Sequence, residues 1–201
     1  MKLFSYVVRL DFGFAPNPFY GVCTLATCKG QIRRTAEVGD WVVGTGSAAY
    51  GLQGQLVYAM NVSEKLSFEQ YWADTRFLAK RPYLHGSIKQ TRGDNIYHRH
   101  AKTGVWIGVD SRHSNDNGSP NPDHIARDTR YPFVLIADEF YYWGGSGPMI
   151  PTTFRNWESN DLVQSARNYK YKFPPPMIAT VVNWIRSAHE FRFISEPSEF
   201  S

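Results

Sequence analysis

The segment Cys23-Thr24-Leu25-Ala26-Thr27-Cys28-Lys29-Gly30-Gln31-Ile32-Arg33-Arg34 places three cations within six residues, beside a glycine and two threonine hydroxyls. Lys29 offers a point charge, Arg33 and Arg34 offer forked donors, and Gly30 permits close approach to backbone N–H groups. A phosphate fits such a turn. A solvated basic turn would carry the same residues, since lysine and arginine are mostly exposed. The Walker spacing of a P-loop is absent. A second cluster, Arg92-Gly93-Asp94-Asn95-Ile96-Tyr97-His98-Arg99-His100, gathers a carboxylate, an amide, a phenol and two imidazoles. Asp94 and Asn95 could read the edge of a base and Tyr97 its face, because the amide pairs donor with acceptor and a ring stacks on any base. An Asx turn capped by Asp94 accounts for the same residues.

His98 could also work as a general base near neutral pH with Asp94 orienting it, and Cys23 or Cys28 would then be the thiolate nucleophile. No oxyanion hole stands at recognisable spacing, so catalysis and binding both stay open. Ser111, Ser114 and Ser119 lie in a loop rich in Asn, Asp and Gly, where serine serves turns. Cys23 and Cys28 are five apart and the clustered histidines, His98 and His100, lie far downstream. Structural zinc sites pair ligands two to four residues apart, so free thiols are expected, with no metal and no cofactor, while a Cys2His2 zinc site of Cys23, Cys28, His98 and His100 stays open as the alternative.

These residues must be held by a folded frame. The chain has 201 residues, 42% hydrophobic and 20% charged, with 15% aromatics, which suits one globular core and excludes a disordered polymer. Formal charge is +4 and the pI about 9.0, so any polyanion site must be local. No stretch approaches the roughly 18 apolar residues of a membrane span, the N-terminal apolar run is too short for a signal peptide, and two cysteines point to a reducing cytoplasm. Patterning predicts a strand from Phe4 to Asp11, a proline-broken loop around Pro16 and Pro18, and a turn from Val38 feeding a strand to Gly46. A further strand is expected over Gln55–Asn61, and a Ser67/Gln70 capping box opens one helix from Phe68 to about Lys80. Farther on come a short strand over Val105–Val109, a central strand from Tyr131 to Trp143, and a proline-initiated helix over Met177–Ile185. Strands and helices do not alternate regularly. The expectation is α+β: one domain, 1–201, with a mixed, strongly curved sheet or partial barrel flanked by two or three helices.

Gly39-Asp40-Trp41 before an apolar strand resembles the entry turn of small barrels of the PUA-like group. More extensively, Phe14-Ala15-Pro16-Asn17-Pro18-Phe19, Cys23 to Lys29, Ile32-Arg33, Gly39-Asp40-Trp41, Gly44-Thr45-Gly46 and Gly93-Asp94-Asn95-Ile96-Tyr97 resemble a prokaryotic and phage family, the nucleotide modification associated domain of type two. The resemblance implies a place in systems that modify DNA bases or process modified nucleotides. It makes a nucleotide or nucleic acid, modified DNA included, the expected partner. Lys29, Arg33 and Arg34 are then expected on phosphate, and Phe19, Asn95 and Tyr97 near the base. Two readings stand beside this one: an enzyme using His98 and Asp94, and a protein-interaction module presenting its exposed aromatics.

Overall fold

The computed structural model describes residues 1–164, 168–188 and 191–200. In chain order the strands are β1 (Leu3–Val8), β2 (Cys23–Leu25), β3 (Trp41–Gly46), β4 (Leu56–Asn61), β5 (Glu64–Ser67), β6 (Tyr97–Arg99), β7 (Trp106–Gly108), β8 (Phe133–Ala137), β9 (Glu139–Tyr142), β10 (Tyr169–Lys170) and β11 (Arg192–Phe193). The α-helices are α1 (Gly30–Thr35), α2 (Phe68–Ala73), α3 (Ile88–Thr91), α4 (Pro122–Thr129), α5 (Thr152–Arg155) and α6 (Pro175–Ala188). They assemble two compact units, each built from separated stretches of chain: residues 1–11, 36–63 and 137–201 form the first, and residues 12–35 and 64–136 the second.

The first unit is a six-stranded mixed sheet in the order β10-β1-β3-β4-β9-β11. β1 runs parallel to β3, and β3, β4 and β9 are successively antiparallel. Central strands β1 and β3 are buried along almost their whole length, so their near-continuous apolar runs are what two covered faces require. Gly44 marks a crowded crossing, where an added Cβ would lie 2.4 Å from the Tyr58 ring. α6 covers the sheet. Its Met177, Ile178, Val181, Val182 and Ile185 recur at helical spacing and join Leu3, Trp41, Val43, Ala59 and Tyr141 in one core. The sheet is open, with β10 and β11 as edges, so the expected partial barrel is replaced by an open mixed sheet in a mixed α/β fold. The Gly39 turn is confirmed in a left-handed conformation (φ 88°), and Asp40 accepts from the backbone N–H groups of Lys2 and Glu37 while Trp41 packs in the core.

The second unit holds a three-stranded sheet, β2-β8-β5, and the antiparallel hairpin β6–β7. Its core gathers Phe14, Phe68, Tyr71, Phe77, Ile96, Tyr97 and Val134. Two elements differ from expectation. The apolar run from Tyr131 to Trp143 is two strands parted at Asp138, whose N–H is taken by Ser63 Oγ, and the halves enter different sheets. The capping box of Ser67 and Gln70 forms as the sequence requires, but α2 ends at Ala73. Asp74 caps a separate 3₁₀ turn over Thr75–Lys80 by accepting from the Arg76 N–H, a local bond that competes with continuation of the α-helix. Among the described residues no helix is long and apolar enough to cross a membrane.

Candidate active site

Within the second unit, three side chains distant in sequence stand in line. Cys28 Sγ lies 3.6 Å from His113 Nε2, and His113 Nδ1 lies 2.7 Å from Asp128 Oδ2. The two contacts use opposite nitrogens of one imidazole. When Nδ1–H donates to the carboxylate, Nε2 faces the sulfur and can take its proton. Exposure is graded along the line: Cys28 is half-buried, the His113 side chain is 11% exposed and that of Asp128 1%.

Each member is held by its local structure. Cys28 ends the loop before α1 and, with Lys29, occupies the left-handed region (φ 55° and 36°). Such geometry is costly for a residue with a Cβ and persists only where surroundings enforce it. Here the Cys28 N–H donates to Asp128 Oδ1 and the Cys28 carbonyl accepts from Arg33 Nε. His113 is fixed by the serine-rich loop, in which Ser111 Oγ accepts from the His113 N–H and Ser114 Oγ accepts from the Ser111 N–H. The rings of Phe14 and His124 meet its imidazole edge to face, at 4.8 and 4.6 Å between centroids. Asp128 sits in the last turn of α4, a helix capped by Asn121 through the N–H groups of Asp123 and His124 and started by Pro122.

Electrostatics join the three. Burial works against the His113 imidazolium, yet hydrogen bonds to Asp128 and Cys28 and their charge hold its pKa up at about 9. Burial likewise opposes the Asp128 carboxylate, but His113, Arg127 and Arg33 bring it down to about 2. Tyr97 Oη donates to Asp128 Oδ2 at 2.9 Å, and burial beside that charge drives the phenol well above its ordinary range, so it remains a donor.

The sequence-expected site residues fall into different places. Arg33 is fully buried: its guanidinium donates to the carbonyls of Cys28, Tyr131, Phe133 and Asp128 and lies over the Phe68 ring, while burial lowers its pKa to about 10. Arg34 is exposed and rests on the Tyr131 ring, and Lys29 is half-buried. Asn95 is buried, with its amide donating to the Tyr71 and Phe77 carbonyls. Phe19 is buried beneath the Lys89 ammonium. Asp94 is sealed in a second polar cluster, accepting from Thr24 Oγ1 and Tyr71 Oη. Burial pushes its pKa up against the opposing charge of Lys80. His98 lies apart from that pair, stacked on Trp72 at 4.2 Å. Of the two thiols, Cys23 is wholly buried and burial pushes it up to about 12. Thus Tyr97 and Arg33 meet at Cys28 and Asp128, whereas His98 and Asp94 do not form a pair. His113 and Asp128 went unread in the sequence. Asn121-Pro122 was a legible helix start and could have put Asp128 on a helix; nothing local marked His113. Among the described residues no three His, Cys, Asp or Glu side chains converge as metal ligands.

The family model described as Nucleotide modification associated domain 2 matches residues 1–201. No curated protein and no solved structure matches the chain.

Proposed function

Since the chain belongs to the nucleotide modification associated domain 2 family, we propose that it is a thiol-dependent enzyme acting on an acyl-type group borne by a nucleotide. One observation carries this reading: the line Cys28–His113–Asp128, which has the nucleophile, base and orienter relationship that defines a triad by geometry rather than by chain order. In the neutral imidazole form, which a pKa of about 9 makes the minority at pH 7 and increasingly populated toward pH 9, His113 takes the Cys28 proton as sulfur attacks the carbonyl carbon. The protonated imidazole then hands that proton to the departing nitrogen or oxygen as its bond to carbon breaks. Water, deprotonated in turn by His113, releases the acyl group as an acid and restores the thiol. Asp128 holds the ring in the required tautomer, and Tyr97 holds Asp128.

Alkylation by iodoacetamide followed by peptide mass spectrometry tests the thiol. Cys28 should react selectively over Cys23, and His113→Ala should slow it at least tenfold at neutral pH. Turnover on a panel of acyl-bearing nucleotides should fall by about 10²-fold or more in Cys28→Ala and His113→Ala. Equal labelling of the two cysteines, or labelling indifferent to His113→Ala, would overturn the triad.

A further inference from the structure

We infer that the group acted on at Cys28 is presented on a phosphodiester strand rather than on a free mononucleotide. This inference rests on the triad reading only for where the reacting atom lies. Charge is unevenly distributed along the chain: the segments of the second unit carry fourteen Lys and Arg against eight Asp and Glu, a formal +6, and the remaining segments carry eight against ten. The second unit therefore holds the polyanion-attracting charge that the overall +4 understates.

Part of that charge is arrayed on the elements that hold the triad. Arg34 is on α1, the helix that follows Cys28; Arg112 is the residue before His113; Arg130 lies two positions after Asp128. All three are exposed. None is engaged by a carboxylate among the described residues, in contrast to Arg76 with Glu64 and Arg99 with Glu69. Their guanidiniums lie on aromatic faces instead: Arg34 and Arg130 over the Tyr131 ring at 5.2 and 5.6 Å, and Arg112 over the Phe12 ring at 4.2 Å. An aromatic face orients the planar fork without neutralising it and leaves its N–H groups available for phosphate. The exposed acids on the same loop and helix, Asp110, Asp116 and Asp123, form no ion pair with any of the three among the described residues. A mononucleotide carries its phosphate at one point. Three unneutralised arginines from three elements, two sharing the Tyr131 ring and one on Phe12, offer more than one point of charge, as the repeated phosphates of a strand require.

Fluorescence anisotropy with dye-labelled 20-mer DNA, single-stranded and duplex, tests this on the full chain, with the Cys28→Ala protein as a second sample that isolates binding from chemistry. Three contacts predict a slope of log K against log salt of about −2.1 for the single strand to about −2.7 for the duplex, a roughly 20- to 40-fold loss of affinity between about 50 and 200 mM salt. Arg34→Ala, Arg112→Ala and Arg130→Ala should each remove about one from the slope, and the lysine variants at the same positions should restore it. Bound 20-mer should also slow alkylation of Cys28. The inference is overturned by salt-insensitive or absent binding, by alanine variants that bind as the parent does, by a 5′-mononucleotide that binds as tightly as the 20-mer, or by unprotected Cys28. Strand binding that persists when Cys28 labelling ignores His113→Ala would instead reject the triad while keeping the strand.

Discussion

His113 and Asp128 share a 2.7 Å hydrogen bond in which the carboxylate is buried and the imidazole nearly so, and each raises the other's preference for charge. The pair is therefore linked to folding as well as to any chemistry at Cys28.

Its pH dependence has a definite sign. The folded protein holds the His113 proton more tightly than the unfolded chain, with a pKa of about 9 against an ordinary 6.5. That stabilisation is complete below pH 6.5 and is lost as pH climbs through 9. Asp128, brought down from 3.8 to about 2, stabilises above 3.8 and loses its effect as pH falls toward 2. Lys80 acts oppositely to His113, because burial lowers its pKa from 10.5 to about 8, so its contribution rises between pH 8 and 10.5. Urea midpoints should fall from pH 6.5 to 8, where His113 titrates without Lys80, and flatten above. In His113→Ala the fall should vanish; an unchanged slope in that variant contradicts the assignment.

Arg33 should prove structural. Arg33→Met keeps much of the volume but strands the carbonyls of Cys28, Asp128 and Phe133, while that of Tyr131 keeps the Phe133 N–H. Each stranded buried acceptor costs about 1–3 kcal/mol, so the total should exceed about 3 kcal/mol. The exposed neighbour offers the control, since Arg34→Met should stay within about 0.5 kcal/mol of the parent. Chemical denaturation that finds the two variants equally stable would remove Arg33 from the interior.

That contrast shows what could be read from sequence. Adjacent arginines at 33 and 34 look alike as residues, and only the path of α1 decides that one turns inward and the other outward. The Ser67/Gln70 box, the Gly39 turn and the proline-started α6 were legible because their signals are local. Asp138 was not, since a single polar residue in an apolar run does not announce that its two sides join different sheets. The Cys28 thiol was visible as a nucleophile, but His113 and Asp128 reach it only through long-range folding of a serine-rich loop and a helix end.

Tyr97 should act as a positioning residue. Tyr97→Phe deletes the 2.9 Å bond to Asp128 Oδ2, a bond to a charged acceptor worth about 1.5–3 kcal/mol. Asp128 stays ionised near neutral pH, and with one donor fewer its Oδ2 charge falls more fully on His113, so His113 should hold its proton more tightly and the pH profile of Cys28 alkylation should move to higher pH. Phe68→Leu, which trims the neighbouring core, should lower stability and leave that profile in place. If both variants, or neither, shift the profile, the phenol has no specific role at the triad.

The backbone at Cys28 offers a further measurement. A left-handed φ of 55° brings Cβ close to the following carbonyl, at a cost of roughly 1–2 kcal/mol for any residue but glycine. Cys28→Ala and Cys28→Gly both delete the thiol and its contact with His113, so their difference reports this strain set against the backbone entropy of glycine. Glycine's larger unfolded entropy works against it by about 0.4–1 kcal/mol, and relief of strain should win. Cys28→Gly is therefore expected to unfold at higher urea than Cys28→Ala, by roughly 1 kcal/mol. The opposite order would mean that the loop relaxes without effort and that the thiol is not held under tension by the Asp128 and Arg33 bonds to its backbone.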